Sequence, residues 1–240
     1  MSRRGAWHSL PDLQAVLFDY GGTLDGDGEH WFDRFVRLYA EAKLAVPLER
    51  LKEAFYGADD ALAAEPETPG LTLRQLMGRH VWWQFRHLEI DDPAREAWLV
   101  ERFCEASANA LARNLRLLHR LRGRVRLGII SNFYGNLETI CREFRLAPLL
   151  DVVVDSQAVG LRKPDPRIFH LALARLAVEP DRALFVGDSF ERDILGARSA
   201  GLWTAWVVGP VARPAPEPGA VDVTVQSLGD LEKLVSRGRE

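Results

Sequence analysis

Two kinds of hydrophobic patterning divide the chain. Short apolar runs rich in β-forming residues occur at Ala15 to Phe18, Val125 to Ile130, Val152 to Val154, Ala183 to Val186, Thr204 to Val208 and Val221 to Val225. Each is bounded by Gly, Pro, Asp or Ser, and each reads as a strand. From Val125 onward the runs alternate with helical patterns such as Gly135 to Phe144, Pro166 to Leu176 and Phe190 to Ala200. That alternation predicts right-handed β-α-β units, and so an α/β core: a Rossmann-like, doubly wound parallel sheet with helices on both faces.

From about Gly28 to Asn114 strand-like runs disappear and apolar residues recur every three or four positions. Trp31, Phe35 and Leu38 share one helical face; Leu73, Met77, Val81 and Phe85 share another; Trp98, Phe103 and Leu111 fall in a further segment. Breaks at Pro47, at Pro66 to Gly70 and at Asp91-Asp92-Pro93 divide the stretch into roughly four helices. The expected organisation is therefore a core of residues 1–27 and 115–240, whose first strand precedes an inserted helical domain of residues 28–114. Trp82, Trp83 and Trp98 are expected in the core of that insert rather than around a substrate. The proline-rich segment from Pro210 to Gly219 is expected to be an extended connection before the last strand and helix.

Composition narrows the class. The chain has 240 residues, 47% hydrophobic and 27% charged, with a net charge of −3, enough for one large domain or two smaller ones sharing a cleft. Apolar runs such as Leu127 to Ile130 are far too short to span a bilayer, so no membrane association is expected. The apolar run that follows Arg3 and Arg4 is cut by Asp19 and makes no signal-peptide core, which implies a cytoplasmic protein. Interspersed charges without a basic excess argue against nucleic acid as a partner. Cys104 and Cys141 fit neither a disulfide framework nor a zinc cluster, and buried thiols are expected. Only four of the 31 basic residues are lysines: Lys43, Lys52, Lys163 and Lys233.

In an open parallel sheet, ligands bind beyond the carboxyl ends of the strands. The residues there are polar and acidic: Asp19 after the first strand, Ser131-Asn132 after the second, and Gly187-Asp188-Ser189 after the fourth, with Asp193 one helical turn on. The loop after Val152 to Val154 leads to Lys163-Pro164-Asp165. Carboxylates gathered without histidines or thiols suit a hard cation, and Mg²⁺ is the usual choice where phosphate also binds. Lys163 and the ion would offset the negative charge, while Ser131 and the amides of the Gly21-Gly22 turn would receive phosphate oxygens.

These segments, in this order, resemble the haloacid dehalogenase-like hydrolase superfamily. The resemblance rests on Val16-Leu17-Phe18-Asp19-Tyr20-Gly21-Gly22-Thr23-Leu24, Ile129-Ile130-Ser131-Asn132, Lys163-Pro164-Asp165 and Gly187-Asp188-Ser189-Phe190-Glu191-Arg192-Asp193. The helical insert resembles that superfamily's cap. The resemblance implies a phosphohydrolase acting on a small phosphorylated metabolite, as monomer or homodimer. It implies Asp19 as the nucleophile that takes the phosphoryl group. Ser131, Asn132, Gly22 and Lys163 become substrate-binding residues, with Lys163 and Ser131 also catalytic. Asp19, Asp188, Asp193 and the main-chain carbonyl of Gly21 become the Mg²⁺ ligands.

One position departs from the pattern. Phosphatases of this superfamily carry a second aspartate, two residues after the nucleophile, that protonates the leaving group; here it is Gly21. General acid–base catalysis is worth about 10² to 10⁴ in rate, roughly 3 to 5 kcal/mol of barrier. Asp25 and Asp27 are the nearby carboxylates that would substitute, or the substrate carries a leaving group that needs no proton. Phosphonoacetaldehyde hydrolases are similar in having an aromatic residue and then a small one after the nucleophile; that alternative requires a Schiff-base lysine from the insert, Lys43 or Lys52. A phosphate-binding protein without catalysis is the other alternative. Haloacid dehalogenases place tyrosine at the Gly21 position and work without metal, and the Asp188–Asp193 pair argues against that branch.

Overall fold

Ala15–Phe18 is buried at every position, which marks it as a central strand, covered on both faces, rather than an edge. In a computed structural model describing residues 13–210, 215–217 and 219–231, this strand, β1, lies in the middle of a six-stranded, all-parallel sheet. It pairs with β2 (Arg126–Ser131) on one side and β4 (Ala183–Gly187) on the other. β3 (Val152–Asp155) lies outside β2, while β5 (Trp203–Val207) and β6 (Val223–Val225) extend the far side, giving the order β3-β2-β1-β4-β5-β6. This is the predicted Rossmann-like fold.

Period-two alternation divides the strand residues between two packed layers. Ala15, Leu17, Val152 and Val154 meet the helices Pro166–Leu176 and Gly196–Ser199 on one face. Val16, Phe18, Leu127 and Ile129 meet the helix Leu137–Glu143 on the other. Each such side chain, fully buried, contributes about 1.5–3 kcal/mol of transfer free energy.

Four helices separate β1 from β2: α1 (Trp31–Glu41), α2 (Leu48–Ala64), α3 (Leu73–His87) and α4 (Pro93–Leu121). The breaks between them follow local chemistry. Thr72 and Gln75 form a capping box at the start of α3, and Asp92 caps α4 ahead of Pro93 at its first position. The expected boundary after Asn114 falls inside α4, because Leu117, Leu118 and Leu121 prolong its apolar stripe until it packs on the core. Trp83 and Trp98 pack partly buried, but Trp82 is exposed, with Arg86 over its ring.

Residues 1–12, half of the expected connection from Pro210 to Gly219, and the expected final helix beyond the 3-10 turn Leu228–Leu231 lie outside the described residues. Cys104 and Cys141 are buried free thiols. Among the described residues, no helix is long and apolar enough to cross a membrane.

Candidate active site

The chain runs from β1 through β2 to β3 on one side, then crosses to β4 on the other, so the strand order reverses beside β1. A crevice opens there beyond the carboxyl ends. Phe18 is level with Ile129 and Val186, so Asp19, Ser131 and Asp188 all leave the same edge of the sheet. The Asp19 amide donates to Val186 O at 2.8 Å, fixing the start of the loop.

Asp19 Oδ1 accepts from Ser131 Oγ at 2.8 Å and from Lys163 Nζ at 2.6 Å. Lys163 Nζ also donates to Asp193 Oδ1 at 2.6 Å. Burial pulls the Lys163 ammonium down, but the charges of Asp19 and Asp193 more than offset it and hold the amine above its ordinary value. Residues 144 positions apart, Asp19 and Lys163, are thus one buried ion pair.

Carboxylate oxygens of Asp19, Asp188 and Asp193 lie within 4.8 Å of one another. Burial, then the charges of Asp19 and Asp193, pushes the Asp188 carboxyl well above the usual carboxylate range. Asp193 moves the same way, through burial first and with Lys163 opposing. Three carboxylates against the Lys163 ammonium and the neighbouring Arg192 guanidinium leave the cluster short of positive charge, and an all-oxygen donor set of this kind fits Mg²⁺. Thr23 Oγ1 donates to Asp188 Oδ1 at 2.9 Å, and the Ser189 amide to Asp193 Oδ2 at 2.9 Å, so both acids are oriented. Gly21 lines the same cavity.

Several sequence expectations need correction. Gly22 has no amide to offer a phosphate, because its N–H donates to Asp25 Oδ1 at 2.7 Å. Its role is steric: at φ 85° a Cβ would sit 2.6 Å from Asp188 Oδ2, so only glycine allows this approach. Asn132 lines the cavity, but its side chain is spent on the Lys163 main chain, accepting from N at 2.8 Å and donating to O at 3.0 Å. That side chain therefore positions Lys163. Asp25 is fully buried; its Oδ2 accepts from Trp31 Nε1 at 2.9 Å, Ser107 Oγ at 2.7 Å and Arg34 Nη1 at 3.3 Å. Asp27 is tied to Arg113 and Asn114. Neither aspartate lines the cavity, so neither can protonate a leaving group there. Lys43 and Lys52 are both exposed and away from the cavity, leaving no described amine besides Lys163 for a Schiff base.

The cavity itself measures about 70 Å³ and is shared between sheet and insert. Sequence reading missed His30, Tyr56, Asp59, Tyr134 and Arg192 in its wall. Arg192 lies within the quoted acidic motif and Tyr134 just beyond the serine motif, so proximity alone was a signal for those two. Asp59 gave none, since one acidic residue on an amphipathic helix looks like solvated surface. Burial opposes the Arg192 charge, but Asp193, Asp19 and Asp188 sustain it. His30 is pushed below its ordinary value by burial and by Arg192.

Comparison with known proteins agrees with this architecture. A family model described as haloacid dehalogenase-like hydrolase matches residues 13–201. The pyrimidine 5'-nucleotidase YjjG of Escherichia coli is 33% identical over 232 residues, covering 92% of this chain and 97% of that protein. A phosphoserine phosphatase of Thermus thermophilus is 32% identical, covering 94% and 92%. Among solved structures, a dehalogenase with an intermediate complex superposes with a TM-score of 0.66 at 21% identity, covering 96% of this chain and all of that one, which speaks for the fold alone.

Proposed function

Because the chain belongs to the haloacid dehalogenase-like hydrolases, we propose that it is a Mg²⁺-dependent phosphohydrolase that cleaves a small phosphorylated metabolite through an aspartyl-phosphate on Asp19. The observation that carries this reading is buried Lys163 Nζ, 2.6 Å from both Asp19 and Asp193, which with Asp188 form a cluster of three carboxylates. Asp19 Oδ1 is held by Ser131 and Lys163, which leaves Oδ2, without a described protein donor, to attack phosphorus. In the first step an O–P bond forms to Asp19 as the P–O bond to the leaving group breaks. In the second, water attacks phosphorus and returns the carboxylate and inorganic phosphate.

Lys163, shared by Asp19 and Asp193, balances charge that accumulates on the phosphoryl oxygens. Ser131 Oγ is placed to turn from Asp19 to one of those oxygens. Asp19, Asp188, Asp193 and the Gly21 carbonyl would hold Mg²⁺, which supplies Lewis-acid stabilisation of the phosphoryl group when bound. Residues 28–114 would serve as a cap domain over a core formed by the rest, with α4 as the shared strut.

Phosphate release from acyl, aryl, amino-acid and nucleoside phosphates, measured with and without EDTA, tests the reading. Turnover that needs Mg²⁺ and is lost in Asp19→Asn is expected. Turnover that survives EDTA or Asp19→Asn would overturn the mechanism, and phosphate binding without any product would leave a binding protein.

A further inference from the structure

The nucleophile loop contains no group able to protonate a leaving group, yet the cavity wall contains a carboxylate that Lys163 does not hold. Of its three aspartates, Asp19 and Asp193 are both engaged by Lys163; the third, Asp59, comes from α2 of the insert. Asp59 Oδ1 accepts from the Tyr134 hydroxyl, which comes from the loop after β2, and from His80 Nε2 at 3.0 Å. His80 is fully buried, and its Nδ1 accepts from Gln84 Nε2 at 2.7 Å, so the ring's proton lies on Nε2, facing Asp59. Both contacts fall on Oδ1, and Oδ2 has no partner among the described residues. A carboxyl gripped through one oxygen, with the other free beside the substrate space, has the geometry of a proton donor and acceptor rather than of a structural ion pair. Asp19, Asp59 and His30 line the same cavity, and the charges of both acids act on that imidazole.

Other groups in the wall serve this role less well. His30 is held neutral by burial and Arg192. Tyr134 is pushed far above the ordinary phenol value by burial and by Asp59, so it holds its proton, which it already commits to a hydrogen bond with Asp59. We propose that Asp59, delivered by the helical insert, performs the proton transfer for which Gly21 has no side chain, with Tyr134 and His80 as its positioning residues. This rests on the phosphohydrolase reading above. As the P–O bond breaks, the Asp59 carboxyl gives its proton to the departing alkoxide. The resulting carboxylate then takes a proton from the water that attacks the aspartyl-phosphate, so Asp59 ends as it began.

A series of aryl phosphates from p-nitrophenyl to phenyl phosphate, extended to glycerol phosphate, assayed with wild type, Asp59→Asn, Asp59→Glu and Tyr134→Phe, tests the proposal. Wild type should cleave glycerol phosphate. Asp59→Asn should lose about 10²-fold or more in kcat/KM on it, but less than about tenfold on p-nitrophenyl phosphate, whose leaving group needs little protonation. The same variant should lose one limb of the kcat/KM pH profile for glycerol phosphate, Tyr134→Phe should displace that limb, and Asp59→Glu should recover part of the loss. An equal loss across the series, no loss, or a wild type confined to activated esters with Asp59→Asn indistinguishable from it would each overturn the proposal. Turnover of p-nitrophenyl phosphate by Asp59→Asn reports that the variant folds. Asp19→Asn separates the two readings, because activity surviving there removes the phosphohydrolase mechanism itself, whereas its loss beside a uniform Asp59→Asn effect removes only the role of Asp59.

Discussion

Replacing Arg34 by methionine would test whether the nucleophile loop and the helical insert are one mechanical unit. Arg34 lies on α1 and is 1% exposed, and every polar edge of its guanidinium is used. Nη2 donates to Asp25 O at 2.8 Å, Nη1 to Ser107 Oγ at 2.7 Å and to Asp25 Oδ2 at 3.3 Å, and Nε to Glu29 Oε2 at 3.1 Å. Asp25 is completely buried, so the variant leaves an anion without its cation in a dry site; breaking a buried pair from one side costs about 3–5 kcal/mol. The lower end applies, because Gly22 N, Trp31 Nε1 and Ser107 Oγ still donate to Asp25, and methionine restores contact with the Phe103 ring that the guanidinium covers at 4.7 Å. A loss of about 3 kcal/mol lowers the midpoint of a chain this size by roughly 6–12 °C. Urea unfolding followed by tryptophan fluorescence and circular dichroism measures it. The double variant Asp25→Asn/Arg34→Met should lose at least about 1 kcal/mol less than the sum of its parts. A cost for Arg34→Met under about 1 kcal/mol, or strict additivity, would refute the reasoning.

Three further outcomes follow from the site. Asp188 and Asp193 have raised values in the native state, so the native protein binds more protons than the unfolded chain above about pH 4, and metal-free stability should fall as pH rises through that window. Mg²⁺ must displace those protons, so its stabilising shift in thermal midpoint should be larger near about pH 8 than near about pH 5, and calorimetry showing the reverse order would contradict the assigned ligands. Gly22→Ala combines a left-handed backbone, costing about 1–2 kcal/mol, with a contact against Asp188, and should reduce Mg²⁺ affinity in titration calorimetry far more than a remote variant of equal stability. Gly21→Asp should fail to raise kcat/KM on alkyl phosphates by as much as about tenfold, because its Cβ arrives 3.3 Å from Trp31 Cε2; a gain approaching the 10²-fold of a working general acid would show that the indole yields.

How legible the molecule was in its sequence depended on whether a signal was local. All six strands, and the breaks at Pro47, Pro66 to Gly70 and Asp92-Pro93, follow from runs of apolar residues and from capping chemistry, and the structure has them within a few residues. Asp19, Ser131, Lys163, Asp188 and Asp193 were legible because a parallel sheet exposes the residues that follow its strands, whatever the loops do between. Hydrogen-bond assignments were not. Nothing in the sequence says that the Gly22 amide is claimed by Asp25, or that Asn132 folds back onto the Lys163 main chain, because those depend on where Trp31, Arg34 and Ser107 arrive from elsewhere in the chain. The boundary expected after Asn114 falls within a helix for a related reason: Leu117, Leu118 and Leu121 continue α4 beyond it.

Gly21 is not an isolated position beside the nucleophile. A Cβ at Gly21 would lie 3.3 Å from Trp31 Cε2, and the indole is held: its Nε1 is bound to Asp25, and its ring meets Tyr20, Phe103 and Phe133 edge to face. Asp25 in turn grips Gly22 with one oxygen and joins α1 and α4 through Arg34 and Ser107 with the other. The chain has therefore used the room beside the nucleophile to fasten the loop to the insert. In that arrangement Trp31, which lines the cavity, starts one of the helices that hold the loop, so the glycine, the indole and the buried aspartate form one coupled unit. A single added carboxylate at Gly21 would have to push the indole back by a few tenths of an ångström, and so strain that unit, before it could move a proton.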